Sequence, residues 1–196
     1  MFTGIIQATG IFQGFGQGGR EMIIEAPDTA PRIAIGGSLA VDGVCLTLVR
    51  KENGRLVFNP AEETLRRTAF RLRRRGDPLN LECPLTLADP LGGHLLTGHV
   101  DYTANVRRFV SRPPGRRLTV PLPREYRPFV VAQGSVAVNG VGLTVAAAGP
   151  AAFETELIPA TLAATNLGRL KAGAPVHVEC DLIGKYMYNF FHFRKR

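Results

Sequence analysis

Hydrophobic residues along this chain occur in short runs, which Gly, Pro, Asp and Asn residues separate. Polar and apolar positions alternate in Ser38–Val41 and in 176–179, the pattern of a strand with one buried face. The pairs Asp42-Gly43 and Asn139-Gly140 stand between apolar runs, as is typical of tight hairpin turns. Roughly six such runs fill each ninety residues, and this pattern predicts small antiparallel β-barrels.

The pattern occurs twice. Residues 37–48 (GSLAVDGVCLTL) and 134–145 (GSVAVNGVGLTV) are identical at eight of twelve positions, with an offset of 97 residues. The openings 2–6 and 96–100 also match, at an offset of 94. A repeat near half the chain length indicates two copies of one domain of roughly 90 residues each.

Helices are expected in only a few places. The segments 61–67 and 159–164 each follow a strand and open with residues that suit a first helical turn. A third helix is predicted in the tail, where apolar residues fall at the spacing of an amphipathic helix: Leu182, Ile183, Tyr186, Met187, Phe190 and Phe191. A helix of about three turns is marginal alone in water. It therefore docks either against a neighbouring subunit or against its own second barrel, and the sequence leaves both open.

Composition is that of a globular protein, with 45% hydrophobic and 20% charged residues among 196. We expect no membrane span, because no tract of eighteen apolar residues occurs, and no signal peptide precedes the first repeat. The odd number of cysteines, three, without a CxxC pair, indicates reduced thiols and a cytoplasmic protein. Cys83 and Cys180 are repeat mates, which we expect to be buried in the core.

The net charge of +8 is the main departure from an ordinary composition. One interpretation is nucleic-acid binding, but aromatic residues do not interleave the basic ones, so we favour a solvated surface and expect no nucleic-acid partner. Such a surface also attracts anionic metabolites. The basic residues cluster at Arg66-Arg67, Arg71, Arg73-Arg74-Arg75, Arg107-Arg108, Arg116-Arg117 and Arg194-Lys195-Arg196.

The candidate chemistry lies where the two repeats differ. The sequence contains no phosphate loop and no paired-cysteine metal site, and His94 and His99 lack further ligands at metal-binding spacings, so no metal is expected. A lone histidine is more often structural than catalytic. However, His99 stands where the first repeat has Ile5, which favours a role in proton transfer.

A second difference is Cys45 against Gly142, inside the best-matched block. Cys45 is either a small core residue or, if it faces a cleft, a group that adds to an electrophilic carbon. Thr47 and Thr144 lie two residues further on and share a strand face with those positions, so their hydroxyls can bond a heterocycle. Asp181 is unmatched and stands where the second barrel meets the tail; its simplest interpretation is a solvated carboxylate.

Several motifs in order identify a family resemblance: MFTGII, VDGVCLTL, ETLRRT, LGGHLLTGHVD, VNGVGLTV, IPATLAATNLG and VECDLIGKY. Together they resemble riboflavin synthase of the two-barrel trimeric kind, over nearly the whole chain. The resemblance implies an all-β fold: two tandem six-stranded antiparallel Greek-key barrels with a short C-terminal helix. The lumazine-binding barrels would span residues 1–90 and 91–181, and residues 182–196 would gather three chains.

For activity, the resemblance implies that two molecules of 6,7-dimethyl-8-ribityllumazine exchange a four-carbon unit. The products are riboflavin and 5-amino-6-ribitylamino-2,4-pyrimidinedione, and no cofactor or metal takes part. Each barrel would bind one lumazine. The productive site would form between the N-terminal barrel of one subunit and the C-terminal barrel of its neighbour. An association with lumazine synthase is also expected.

The resemblance carries roles onto specific positions of this chain. Catalytic roles are implied for Cys45, His99, Thr144 and Asp181. The first substrate pocket would comprise Gly4, Ile5, Ile6, Cys45, Leu46, Thr47, Asn59, Pro60, Ala61, Glu62, Glu63, Thr64, Gly98, His99 and Val100. The second would comprise Gln133, Gly142, Leu143, Thr144, Glu156, Leu157, Ile158, Pro159, Ala160 and Thr161.

The second pocket departs from the family pattern at three positions. Gly142 stands where the family has a serine, Gln133 where it has a lysine, and Ala160 where it has a larger polar residue. Loss of each polar group removes about 0.5–3 kcal/mol of hydrogen bonding. An alternative function follows, because the related lumazine proteins keep this fold, bind one lumazine or flavin in the first barrel and catalyse nothing.

Overall fold

The computed structural model describes residues 1–193 of the chain and contains two antiparallel β-sheets. The first sheet closes into a barrel with the strand order β1-β2-β5-β4-β3-β6, in which non-consecutive strands are neighbours, as in a Greek key. The helix α1 (Glu62–Arg67) lies between β5 and β6 in the sequence. The strands are β1 (Ala8–Gly16), β2 (Glu21–Glu25), β3 (Ser38–Val41), β4 (Val44–Glu52), β5 (Arg55–Phe58) and β6 (Pro78–Glu82).

The second sheet has the order β7-β13-β10-β11-β12-β9-β8. Its strands are β7 (Tyr102–Asn105), β8 (Arg108–Arg112), β9 (Gly115–Pro121), β10 (Ser135–Val138), β11 (Val141–Ala148), β12 (Ala152–Leu157) and β13 (Pro175–Cys180). The helix α2 (Pro159–Ala164) lies between β12 and β13 in the sequence. The predicted all-β architecture and both short helices are confirmed.

The second sheet has seven strands instead of the predicted six, and its strand order does not close within residues 1–193, because the counterpart of β1 is divided into β7 and β8. The two sheets with their cores are called the first and the second barrel below. In β1 the pairing register shifts between Phe12 and Gly14, and Gly14 has a φ of 124° that a residue with a side chain adopts only under strain. The repeat mate of Gly14 is Arg108, which does not tolerate that conformation. The chain instead breaks between β7 and β8, where the N–H of Val106 donates to Ala174 and that of Arg107 to Thr119.

The two predicted hairpin turns lie at the centre of the molecule. Asp42 and Gly43 have φ values of 45° and 78°, and Asn139 and Gly140 have 47° and 76°. Positive φ at both central residues is the signature of a type I′ turn, which matches the twist of the flanking strands. The turns therefore join β3 to β4 and β10 to β11 as the sequence predicts.

Each sheet encloses its own hydrophobic core, and a third cluster joins them. In β3, Leu39 and Val41 point into the first core, while Ala40 turns the opposite way into the third cluster. That cluster contains Phe2, Leu96 and Ala137, with Cys45 packed against it. Small residues at positions 40 and 137 let the two sheets approach closely.

The tail forms the predicted helix, α3 (Leu182–Phe193). Lys185 anchors its first turn through an ion pair of 2.6 Å with Asp101, and the ring of Tyr188 packs edge-on against Phe129 with centroids 5.2 Å apart. One side of α3 thus docks on segments of its own second half that flank the strands β7 and β10. The remaining apolar side chains stay exposed: Ile183, Tyr186, Met187, Phe190 and Phe191. None of the helices within residues 1–193 is long and apolar enough to cross a membrane.

The predicted basic clusters have several different roles in the structure. Arg66 and Arg67 pair with Glu63 on α1, and such exposed pairs contribute little stability. Arg73 differs, because its guanidinium lies 2.6 Å from the fully buried carboxylate of Asp42. The cluster at 194–196 lies outside the described residues.

Candidate functional site

The segments 2–4 and 96–98, called the leading segments here, are held by equivalent hydrogen bonds, each to a different buried glutamate. Glu82 accepts hydrogen bonds from the N–H groups of Thr3 (2.6 Å) and Gly4 (3.1 Å). Glu179 accepts the equivalent bonds from Thr97 (2.8 Å) and Gly98 (3.2 Å). Burial raises the pKa of both carboxyls, and these donors oppose that effect. Both segments are therefore fixed in place by buried carboxylates at the ends of β6 and β13.

Each segment then crosses to the other sheet. The N–H of Cys45 on β4 donates to the carbonyl of Gly98 at 2.8 Å, and the N–H of Gly142 on β11 donates to that of Gly4 at 2.8 Å. Val100 packs on the first core and Ile6 on the second. The structure thus groups Gly98–Val100 with the first barrel, as the resemblance implies. It groups Gly4 and Ile6 with the second barrel, whereas the resemblance placed them in the first pocket.

The first site lies along β4. Gly98 has a φ of 81°, and a Cβ added there would lie 2.6 Å from the Cβ of Cys45, so only glycine fits. Cys45 is partly buried, Thr47 is exposed on the same strand face, and the buried Leu46 points into the core. His99, directly after Gly98, is exposed. The Gly98–Cys45 contact therefore places His99, the residue after Gly98, next in the chain to a segment that lies against β4, which carries Cys45 and Thr47.

The second site lies along β11 and contains a histidine that the sequence reasoning did not place there. A Cβ added to Gly142 would lie 3.3 Å from Nδ1 of His94, and Thr144 follows on the same strand face. Burial lowers the pKa of His94, while the charge of Asp181 raises it to a smaller extent. Asp181 itself accepts a hydrogen bond from the N–H of Ile183 at 2.9 Å, at the start of α3. Leu143 points away, into the second core.

One sequence signal could have located His94. A Cβ on the preceding Gly93 would lie 2.0 Å from the carbonyl oxygen of Thr3, so this glycine permits a very close backbone contact. The N–H of His94 donates to the same oxygen at 3.1 Å. The Gly-Gly-His sequence thus indicates a histidine held against another segment. His94 lies outside the matched segments 2–6 and 96–100, so the comparison of the repeats does not include it.

The remaining predicted site residues lie where β5 and β12 lead into α1 and α2. Glu62 forms an ion pair of 2.7 Å with Arg71, and Glu156 one of 3.0 Å with Arg112. Arg117 also bonds Glu156 and lowers the pKa of that carboxyl. Exposed at these edges are Asn59, Ala61, Glu62, Glu63, Glu156, Ile158, Pro159 and Ala160, while Pro60, Thr64 and Thr161 are half-buried and Leu157 is buried.

Gln133, the last predicted member of the second pocket, is exposed in the turn before β10, where its φ is 63°. Its N–H donates to the carbonyl of Val145 at 2.8 Å, so the backbone of the turn is tied to β11. Across residues 1–193, no three His, Cys, Asp or Glu side chains group closely enough to hold a metal ion.

Comparison with known proteins agrees with this duplicated arrangement. The lumazine binding domain family matches twice, at residues 3–84 and 97–181. A riboflavin synthase from Bacillus amyloliquefaciens is 32% identical over 98% of this chain and 90% of its own length. One from Chlamydia pneumoniae is 36% identical over 94% and 92%. The fold matches the crystal structure of LumP complexed with riboflavin, with a TM-score of 0.85 at 24% identity over 92% of this chain and 99% of LumP. The chain therefore belongs to the riboflavin synthase family of enzymes, which is built from two lumazine-binding domains.

Proposed function

We propose that this enzyme is a transferase that converts two molecules of 6,7-dimethyl-8-ribityllumazine into riboflavin and 5-amino-6-ribitylamino-2,4-pyrimidinedione. The observation that carries the proposal is the duplicated site. The carbonyl of Gly98 accepts a 2.8 Å hydrogen bond from Cys45 in one barrel, and the carbonyl of Gly4 accepts an equivalent 2.8 Å bond from Gly142 in the other. Two like sites in one chain suit a reaction between two identical substrates. We assign residues 1–90 and 91–181 to the two lumazine-binding barrels.

The chemistry requires one lumazine to lose a proton from its C7 methyl group and the other to accept a nucleophile at C7. Holding the two rings in contact supplies much of the acceleration, because the reaction becomes effectively intramolecular. His99 is exposed beside Cys45 and takes up or returns the protons, with Thr144 as the hydroxyl of the second site. Cys45 adds to or orients the first ring, and Asp181 completes the catalytic set. No external cofactor is needed for these steps.

Substrate binding is assigned to the strand faces and to the edges leading into α1 and α2. In the first barrel these are Cys45 to Thr47, Asn59 to Thr64 and Gly98 to Val100. In the second they are Gln133, Gly142 to Thr144, Glu156 to Thr161 and, following the contacts of Gly4 and Ile6, the segment 4–6.

The productive site is proposed to form between subunits of a homotrimer. Polar groups of both sites are open to solvent in the single chain: Thr47, His99 and Thr144 are all exposed. Ile5 and Ile158, which flank the second site, are 49% and 60% exposed. A neighbouring first barrel placed over the second would exclude water from both rings. The exposed apolar side of α3 supplies the contact that gathers three chains. We place the enzyme in the cytoplasm, in association with lumazine synthase.

A second candidate function is a lumazine or flavin carrier without activity. It is favoured by one observation, that Gly142 leaves the second site without the side chain that Cys45 provides in the first. Such a protein would bind a single ligand in the first barrel.

Incubation of the purified protein with 6,7-dimethyl-8-ribityllumazine separates the two functions. Riboflavin is followed by its absorbance, and bound ligand is measured in parallel. One riboflavin for every two lumazines consumed supports the dismutase. Tight binding of one lumazine per chain without riboflavin overturns it in favour of the carrier.

A further inference from the structure

The two sites differ in the strand residue that faces the leading segment, which is Cys45 in the first site and Gly142 in the second. In the first site the side chain of Cys45 lies against Gly98. In the second site Gly142 has no side chain, and the ring of His94 lies where one would point, with Nδ1 at 3.3 Å and Cε1 at 3.4 Å from the added Cβ. Both distances are short for a carbon contact. A side chain at position 142 and the ring of His94 therefore compete for the same space.

Hydrogen bonds hold the backbone of His94 in this position. Its N–H donates to Thr3, whose own N–H is held by the buried carboxylate of Glu82. Two residues later, Leu96 and Phe2 exchange backbone hydrogen bonds of 3.0 Å and 2.8 Å. The backbone on both sides of the ring is thus paired with residues 2–3. The backbone that carries His94 is therefore ordered before a ligand binds, so binding costs little additional backbone entropy.

The two ring nitrogens have different surroundings. Nε2 is buried and has no hydrogen-bond partner among the described residues. Nδ1 lies on the side of Gly142, at the surface of the second site. A neutral imidazole carries one proton, and a buried N–H without an acceptor is less tolerated than a buried lone pair. The proton therefore belongs on Nδ1, where it points to the site. Burial, which lowers the pKa of His94, keeps the ring neutral.

We propose that His94 is the polar ligand-binding residue of the second site, taking the place of a side chain at position 142. Its Nδ1–H donates a hydrogen bond to an acceptor of the lumazine or flavin ring system bound against β11. Each site then has one histidine, His99 in the site of Cys45 and His94 in the site of Gly142. This inference rests on the proposed function, since it takes the ligands of that reaction to be the ligands of the second site.

Riboflavin binding to the full chain tests the proposal, since this product has no reaction partner when present alone. Equilibrium dialysis counts the sites per chain and measures both dissociation constants. His94→Leu fills similar space without a donor, whereas His94→Asn keeps an N–H near the position of Nδ1. We expect two sites in the unaltered protein. In His94→Leu one of the two dissociation constants, which we assign to the second site, rises about tenfold while the other is unchanged. In His94→Asn both stay close to the parent.

Several results would overturn the inference. These are a single riboflavin site in the unaltered protein, two unchanged sites in His94→Leu, or an equal loss at both sites. The histidine 15N spectrum of the unaltered protein provides a second readout that needs no variant. It should show His94 protonated at Nδ1, with a resonance that moves when riboflavin fills the second site. A ring protonated at Nε2 that does not respond to the ligand contradicts the proposal.

A different result would overturn the proposed function without deciding the role of His94. If the unaltered protein binds two riboflavins but forms none from 6,7-dimethyl-8-ribityllumazine, the dismutase assignment is overturned. The role of His94 is then still decided by the dissociation constants of the two variants.

Discussion

Gly43 and Gly140 meet backbone to backbone between the two barrels. A Cβ built on Gly43 would lie 2.7 Å from the nitrogen of Gly140, and one built on Gly140 would lie 2.6 Å from the nitrogen of Gly43. The two hairpin turns are repeat mates, so the contact sits on the axis that relates the repeats. Each glycine thus has two functions: it adopts the positive φ of its own turn, and its lack of a side chain lets the other barrel pack against it.

Gly43→Ala should destabilise the protein more than strain alone explains. Gly173 is a matched control, because its φ of 84° is close to the 78° of Gly43 and no atom lies within 4 Å of its added Cβ. We expect Gly173→Ala to lower the free energy of unfolding by about 1 kcal/mol. Gly43→Ala should lower it by roughly 3 kcal/mol, since overpacking adds to the strain. Urea unfolding measures both, and equal losses would contradict the contact.

His177 should make stability depend on pH. Its buried ring accepts a hydrogen bond from the N–H of Ala69 at Nε2, and Nδ1 lies 2.9 Å from the carbonyl oxygen of Asp42. The ring is therefore neutral, with the proton on Nδ1, and burial lowers its pKa from 6.5 to about 4. The unfolded chain takes up a proton near 6.5 while the folded chain resists it. Stability is thus full above pH 6.5 and falls as the pH decreases towards 4, by about 3 kcal/mol.

The measurement is urea unfolding at several pH values between 7 and 4, in the parent and in His177→Gln. The Gln variant loses stability at pH 7 but should show a flatter pH dependence, since it has no group that titrates there. Burial raises the pKa of the neighbouring Asp42, which acts in the opposite direction at low pH. Asp42 is present in both proteins, so the difference between them isolates His177. Parallel pH profiles would rule out this role.

His99→Gln should impair turnover without affecting the fold. His99 is exposed, and its N–H is held by the hydroxyl of Thr97 at 3.3 Å, so the side chain contributes little to packing. Removal of a proton-transfer group typically costs about 10²- to 10⁴-fold in rate. We expect riboflavin formation to fall by roughly 10²-fold or more, with an unchanged melting temperature and two bound riboflavins. Unchanged turnover would remove His99 from the mechanism.

A charge on the exposed side of α3 should dissociate the proposed trimer. Ile183 is 62% exposed in the single chain, so Ile183→Lys costs the isolated fold little but opposes burial between subunits. Asn189→Lys adds the same charge at an exposed polar position of the same helix. Analytical ultracentrifugation should give trimers for the parent and for Asn189→Lys, and monomers for Ile183→Lys. Riboflavin formation should be lost with the trimer. Monomeric but fully active Ile183→Lys would contradict the site between subunits.

The fold was largely predictable because its signals are local. The turn pairs at 42–43 and 139–140 specify hairpins through the positive φ that Asp, Asn and Gly tolerate. The apolar spacing from Leu182 specifies a helix, and the 97-residue repeat transfers each inference from one half to the other. The repeat differences also singled out Cys45 and His99 as candidates, since a comparison within the chain needs no knowledge of the fold.

The way in which the halves combine depends on long-range contacts. Gly4 meets Gly142 and Asn166 meets Asp42 because two barrels dock through β3, β10 and their leading segments. The position of His94 follows from the same docking. Periodicity reports which face of a strand is buried, but not which distant segment buries it. Local patterns and the repeat thus specify the strands, their turns and the groups that differ between the halves. The packing of one barrel on the other decided which groups share a site, because those contacts join residues that neither pattern nor spacing relates.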